Sequence, residues 1–230
     1  MRRPGSGESW QLLKRDAFGA TFLCRAADRA WVRRDIGSVR WWLRPLARAA
    51  LRRERRTLGH LRGLEGIAVL LGCGRDHLER SLLAGATLAE RPPDLTWFRR
   101  ARQLLQQVHR RGVAHNDLAK EENWLVLDDR RAALIDFQLA FITRPRSRWL
   151  RLMAREDLRH LLKHKVTFHP EALTPSERRL ISRPSRFSRA WRKTVKRAYN
   201  VLTRRLLRWR DDDGRGSRRR QRSSTSKQLR

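Results

Sequence analysis

His115-Asn116-Asp117-Leu118-Ala119-Lys120-Glu121-Glu122-Asn123 is followed, after a short apolar hairpin, by Leu134-Ile135-Asp136-Phe137-Gln138. The first stretch is a polar, irregular loop, Val113 to Asn123, between apolar flanks. The hairpin reads as Trp124-Leu125-Val126-Leu127, a turn at Asp128-Asp129, and Ala132-Ala133-Leu134-Ile135. This order puts a carboxylate in a loop, then a carboxamide, then a second carboxylate after the hairpin, so that all three can converge on one concave site. A carboxylate beside a hydroxyl orients it and accepts its proton. An amide oxygen and another carboxylate are hard ligands suited to magnesium, which takes a few protein oxygens and completes its shell with phosphate and water. Phosphoryl transfer asks for that combination of positioning and charge neutralisation.

At these residues the chain resembles the protein-kinase-like superfamily. His-x-Asp-Leu with a following Asn, then Ile-Asp-Phe, is similar to the catalytic-loop and metal-loop pair. The nearest resemblance is to small bacterial kinases related to the RIO-type Ser/Thr kinases and to lipopolysaccharide (Kdo and heptose) kinases. It covers roughly residues 10–165. It implies an α+β, two-lobed fold: a small, mainly antiparallel β N-lobe with one helix, and a mainly helical C-lobe. It also implies an ATP- and magnesium-dependent phosphotransferase moving the γ-phosphate to a hydroxyl. Asp117 is then the catalytic carboxylate, Asn123 and Asp136 the magnesium ligands, and His115 a residue bracing the loop. The acceptor implied first is a protein Ser or Thr, and second a sugar of an envelope glycolipid. Two other classes stand beside this reading: a pseudokinase or ATPase-type scaffold, and a basic protein binding nucleic acid or an anionic membrane.

The chain departs from the family pattern at several places. The family has Asn five positions after the catalytic Asp; here Glu122 is fifth and Asn123 sixth. Asn123 keeps the usual thirteen-residue gap to Asp136, which places the extra residue in Lys120-Glu121-Glu122 and leaves Glu122 as an alternative ligand. Gln138 replaces the flexible Gly of Asp-Phe-Gly, which argues against a mobile metal loop. Asn116 replaces Arg before Asp117, and no Ala-Pro-Glu follows. The third strand lacks the phosphate-facing lysine; Arg34 stands at the expected place, with Arg33 as the alternative. Glu54 is the matching helix carboxylate, with Asp35 as the other candidate and a plain local ion pair as the bland reading of Glu54. Arg keeps the charge but is a planar fork, so the exchange is not neutral. Gly19 is the single glycine of Lys14-Arg15-Asp16-Ala17-Phe18-Gly19-Ala20-Thr21. It serves either a close approach to phosphates, with Lys14 or Arg15 adding charge, or an ordinary hairpin turn. Ser81 to Gly85 fits an interlobe hinge, with the backbone at Leu83 facing adenine.

Working outward, residues 1–8 read as a flexible leader. Residues 9–83 read as the N-lobe, with strands at Trp10–Leu13, Thr21–Cys24, Ala30–Ile36, Ile67–Leu71 and His77–Leu83. A helix is expected from about Leu43 to Leu61, with Pro45 in its first turn. Residues 84–182 read as the C-lobe. Its first helix starts at Pro92-Pro93-Asp94-Leu95-Thr96, carries Trp97, Leu104, Leu105 and Val108 on one stripe, and ends at Arg111-Gly112. Further helices are expected over Leu150–His164 and Ser176–Ile181. Residues 183–210 read as a basic helix with a Trp191, Val195, Tyr199, Leu202, Leu206 stripe, and 211–230 as a disordered basic tail.

The chain's 230 residues suit one domain of moderate size in two lobes, and 40% apolar residues supply a core. Two cysteines, Cys24 and Cys73, exclude a disulfide scaffold and read as small buried hydrophobes. The longest apolar run, Ile67 to Leu71, is far below the ~18 residues of a membrane span. No apolar signal core follows the N-terminus. A cytoplasmic location is therefore expected, with peripheral contact at the inner membrane as the alternative. The formal charge is +32, from 55 Lys plus Arg against 23 Asp plus Glu. It favours phosphate-rich partners, with RNA or anionic membrane contacts through the basic C-terminus among them. Only 7 of the 55 are Lys, a skew that a GC-rich genome also produces.

Overall fold

The computed structural model describes residues 7–182, which fall within one unit of the chain, Met1–Ser185. The expected helix over 183–210, the tail over 211–230 and most of the leader lie outside the described residues.

The first half is a five-stranded antiparallel sheet with one helix. Strands β1 (Ser9–Asp16), β2 (Gly19–Arg25) and β3 (Ala30–Asp35) run consecutively. Helix α1 (Arg44–His60) follows, then β4 (Leu70–Cys73) and β5 (His77–Ser81), giving the order β1-β2-β3-β5-β4. Period-2 alternation divides the side chains between two faces. Ala20, Phe22, Cys24 and Trp31 pack on one face, with Trp10 and Ala26 against them. Full burial of each large apolar side chain there is worth roughly 1.5–3 kcal/mol. Burial also pushes the Cys24 thiol up to about 11, which keeps it a neutral hydrophobe. Leu23 and Val32, paired across β2 and β3, are buried on the opposite face.

Helix α1 starts with Pro45 in its first turn, where the missing N–H costs nothing. Ala47, Leu51, Glu54 and Leu58 form its buried stripe, packed against β4 and β5. Glu54 is thus a carboxylate placed where the helical period calls for an apolar residue.

The second half is mainly helical. Residues 82–84 join β5 to β6 (Gly85–Thr87), which starts a separate antiparallel sheet. Helix α2 (Leu95–Arg110) is capped by Asp94, whose Oδ1 accepts the Trp97 amide at 2.7 Å. Strand β7 (Val113–Ala114) leads into the polar loop; β8 (Trp124–Leu127) and β9 (Ala132–Leu134) form the expected hairpin beside β6. Strand β10 (Phe141–Ile142) pairs with β7. Helices α3 (Arg148–Phe168) and α4 (Pro175–Ser182) complete the described residues. Ser147 Oγ caps α3 by accepting the Leu150 amide at 3.1 Å, which is why the helix begins before Leu150.

The strand expected from Ile67 begins three residues later. The Leu134 amide donates to Gly66 O at 2.9 Å, and Ile67 bridges Leu134 in parallel, so this segment is spent on joining the two halves. Gly66 has φ +79°, and a Cβ there would strike the Ala132 carbonyl. No helix among the described residues is long and apolar enough to cross a membrane.

Candidate active site

The polar loop is anchored at both ends and braced from below. Strand β7 ties its start to β10, and a 3-10 turn over Glu121–Asn123 delivers its end to β8. Beneath it lies Asp157, fully buried on α3. Its Oδ2 accepts the His115 amide at 2.8 Å and the His109 ring at 3.1 Å, and its Oδ1 accepts the Asn116 amide at 2.9 Å. Leu118 O accepts from the His164 ring at 2.8 Å and from Trp124 Nε1 at 3.3 Å. Burial holds His164 below the usual imidazole range, consistent with a neutral ring in that position. Asn116 adopts φ 64°, a left-handed conformation that Asn tolerates and Arg does not favour. Its Nδ2 donates to Leu139 O at 3.2 Å, fastening the loop to the segment after Asp136.

Within that frame Asp117 and Asn123 are joined directly. Asn123 Nδ2 donates to Asp117 O at 2.8 Å and to Asp117 Oδ2 at 3.1 Å. With its nitrogen so engaged, the carboxamide has its oxygen left for other work. Asn123 O accepts the Ile135 amide at 3.1 Å, which brings the residue before Asp136 alongside Asn123. Asp136 is half-buried with φ 66°, and among the described residues no donor lies in hydrogen-bonding range of its carboxylate. His115 is fully buried; its Nε2 meets Ile135 O at 3.0 Å and its ring lies 4.7 Å from that of Phe137. Residues Phe137–Leu139 form a 3-10 turn against α1, where Arg53 Nη1 donates to Gln138 O at 3.2 Å.

On the sheet side the charges pair differently from expectation. Arg34 reaches Asp16 Oδ2 at 3.5 Å, and the ion pair of Glu54 is with Arg80 on β5, at 3.7 Å. The expected direct Arg34–Glu54 pair is therefore corrected: Arg34 acts on Glu54 only through space. Register explains the exchange. Arg34 stands opposite Thr21 and Leu78, Arg80 opposite Val32, so both arginines share the face toward α1 and Arg80 meets Glu54 first. Arg33 points to the other face, donating to Glu79 Oε1 at 2.6 Å with its guanidinium over the Trp10 ring, which removes it as the alternative. Asp35 accepts the Gly37 amide at 2.7 Å and lies 3.6 Å from Arg33, so it is not the partner of Arg34 either. Burial pushes Glu54 above the usual carboxylate range; Arg80 opposes that shift, Asp136 adds to it, and Arg34 and His115 oppose it. Asp136 and His115 thus lie within electrostatic reach of Glu54.

Gly19 has φ +135°, and a Cβ there would meet the Asp35 carbonyl at 2.5 Å. The close passage of β3 already requires this glycine. Lys14 on β1 and Glu122 in the loop form an ion pair at 2.9 Å that ties the sheet to the loop. Leu83 sits between the two sheets, so its amide and carbonyl belong to neither ladder.

Asn123 Oδ1 and the Asp136 carboxylate are hard oxygens on two segments joined by the Ile135 amide and the Asn123 carbonyl, and their chemistry suits magnesium completed by phosphate oxygens. No set of three or more His, Cys, Asp or Glu side chains among the described residues forms a cage of the kind that holds a metal without a substrate. Sequence reasoning missed Asp157, Arg80 and the contact of Lys120 with Asp117 Oδ2 at 2.9 Å. Asp157 does carry a signal: it lies on the stripe Leu150, Met153, Asp157, Leu161, where the helical period calls for apolar residues. No protein-family model and no curated protein matches the chain.

Proposed function

We propose that the chain is an ATP- and magnesium-dependent phosphotransferase with a protein-kinase-like fold, moving the γ-phosphate to the hydroxyl of a protein Ser or Thr. The observation that carries this reading is the hydrogen-bonded set of Asp117, Asn123 and the Ile135 amide, which gathers the three site residues from both sides of a hairpin. Asp117 is held by Asn123 and Lys120 at 3.1 and 2.9 Å, so its carboxylate has a fixed direction. It orients the acceptor hydroxyl and takes its proton as the oxygen bonds to the γ-phosphorus and the bond to the β-phosphate oxygen breaks. Asn123 and Asp136 would hold magnesium, which neutralises phosphate charge when bound. The free amide and carbonyl at Leu83 suit the edge of a base.

A second reading, a nucleotide-binding scaffold without transfer, is favoured by one feature: Lys14–Glu122 and Lys120–Asp117 put two of the loop's three carboxylates under lysines. Incubation with γ-labelled ATP, magnesium and a Ser/Thr-containing polypeptide separates the two. Label should pass to the polypeptide and fail to pass in Asp117→Asn. Nucleotide binding without any transfer supports the scaffold. Transfer to an envelope glycolipid in place of the polypeptide would reassign the acceptor to a sugar.

A further inference from the structure

We infer that Arg80 on β5, held by Glu54, is the cation that meets the nucleotide's phosphates, in place of any residue of β3. The inference rests on the phosphotransferase reading and adds to it a binding residue that the sequence pattern places elsewhere.

Arg80 and Glu54 are both withdrawn from solvent, with side chains 12% and 1% exposed. Charges so placed are costly unless closely paired and fully hydrogen-bonded. Among the described residues, Arg33 is 3.6 Å from Asp35 but closes a second contact with Glu79 at 2.6 Å, and Lys165 closes on Glu177 at 2.9 Å. Arg80 and Glu54 remain open at 3.7 Å, and both Arg80 Nη1 and Glu54 Oε2 lack any hydrogen-bond partner. A pair kept only for stability would be expected to close. This one keeps a donor in reserve beside a buried acidic group.

Asp136 and His115 act on Glu54 through space. Arg80 precedes Ser81 and the 82–84 link directly, so its strand ends where the two halves meet. A guanidinium there offers charge-assisted hydrogen bonds to phosphate oxygens, the geometry that favours arginine over a point charge. Arg34, already engaged with Asp16 at 3.5 Å, is left to the hairpin of β1 and β2.

The test is equilibrium binding of magnesium-ATP and of adenosine, by titration calorimetry, to the full chain and three variants, with thermal unfolding as the check on folding. Arg80→Met alone would strand Glu54, so the charge is removed with its partner in Arg80→Met/Glu54→Gln, which keeps the volume filled. Arg80→Lys is the conservative companion, and Arg34→Met the contrast. Arg80→Met/Glu54→Gln should bind ATP about tenfold or more weakly, the loss expected for a charge-assisted contact, while adenosine binding stays within about twofold. Arg80→Lys should fall between that variant and wild type, and Arg34→Met should match wild type. Equal loss of ATP and adenosine in both folded Arg80 variants would reduce the pair to a structural one and overturn the inference. So would ATP affinity lost in Arg34→Met and kept in the Arg80 variants, with the phosphotransferase reading intact. A wild-type chain that binds neither ligand would overturn the inference and that reading together.

Discussion

Asp117, Asn123 and the segment of Asp136 are linked to one another by bonds that close within one stretch of chain, whereas Glu54, Arg33 and Arg34 take partners on neighbouring strands. In the loop, Asn123 bonds Asp117 and receives Ile135 across a single hairpin. In the sheet, Glu54 takes Arg80, Arg33 takes Glu79 and Arg34 takes Asp16. The difference shows where spacing carries information. Local order nearly determines geometry in a loop anchored at both ends. In a sheet, strand register decides which of several arginines reaches a given carboxylate.

The largest effect is expected beneath the loop. Asp157→Ala removes the acceptor of the buried His115 amide and of the part-buried Asn116 amide. Urea unfolding should show a loss of about 3 kcal/mol or more, since each buried donor left unpaired costs roughly 1–3 kcal/mol. A loss under about 1 kcal/mol would mean the loop holds itself without α3. Next in size is Asp117→Asn. Transfer should fall by about two orders of magnitude while ATP affinity is kept, the split expected when a proton acceptor is lost. Affinity falling in step with transfer would place Asp117 on the nucleotide.

Much of the loop side was legible before the structure. The order His-x-Asp, Asn, Asp-Phe and the apolar hairpin between them bring Asn123 to Asp117 and Ile135 to Asn123. Strand and helix positions followed from period-2 and helical patterns, because Phe22, Trp31, Leu51 and Leu58 each have a face to bury. The pairing of Glu54 was not legible. Nothing in the local spacing of Arg34, Glu54 and Arg80 shows that β5 lies beside β3 in the register that points Arg80 at α1. Gly19 was ambiguous for a related reason: its need comes from the Asp35 carbonyl on the neighbouring strand.

Smaller effects sharpen the sheet side. Burial raises the Glu54 carboxyl in the folded state, so folding favours the protonated form. The sign follows from linkage: the unfavourable contribution is absent below the ordinary Glu range and grows as pH rises through it. Glu54→Gln should therefore gain stability relative to wild type from about pH 5 to about pH 8, read by urea unfolding at both. A constant difference would show that Arg80 already compensates the charge in full. Smallest is Lys14→Ala. The Lys14–Glu122 pair is nearly half exposed on each side, so stability should change by less than about 1 kcal/mol, and the change should shrink in salt.

The central claim is tested most directly by calorimetric titration of ATP into the full chain, with and without magnesium, for wild type and Asp136→Ala. The account predicts that wild type binds ATP with magnesium and about tenfold or more weakly without it, and that Asp136→Ala loses this dependence along with the affinity, because Asp136 is the proposed anionic metal ligand. ATP binding that ignores magnesium, or that survives unchanged in Asp136→Ala, would contradict it.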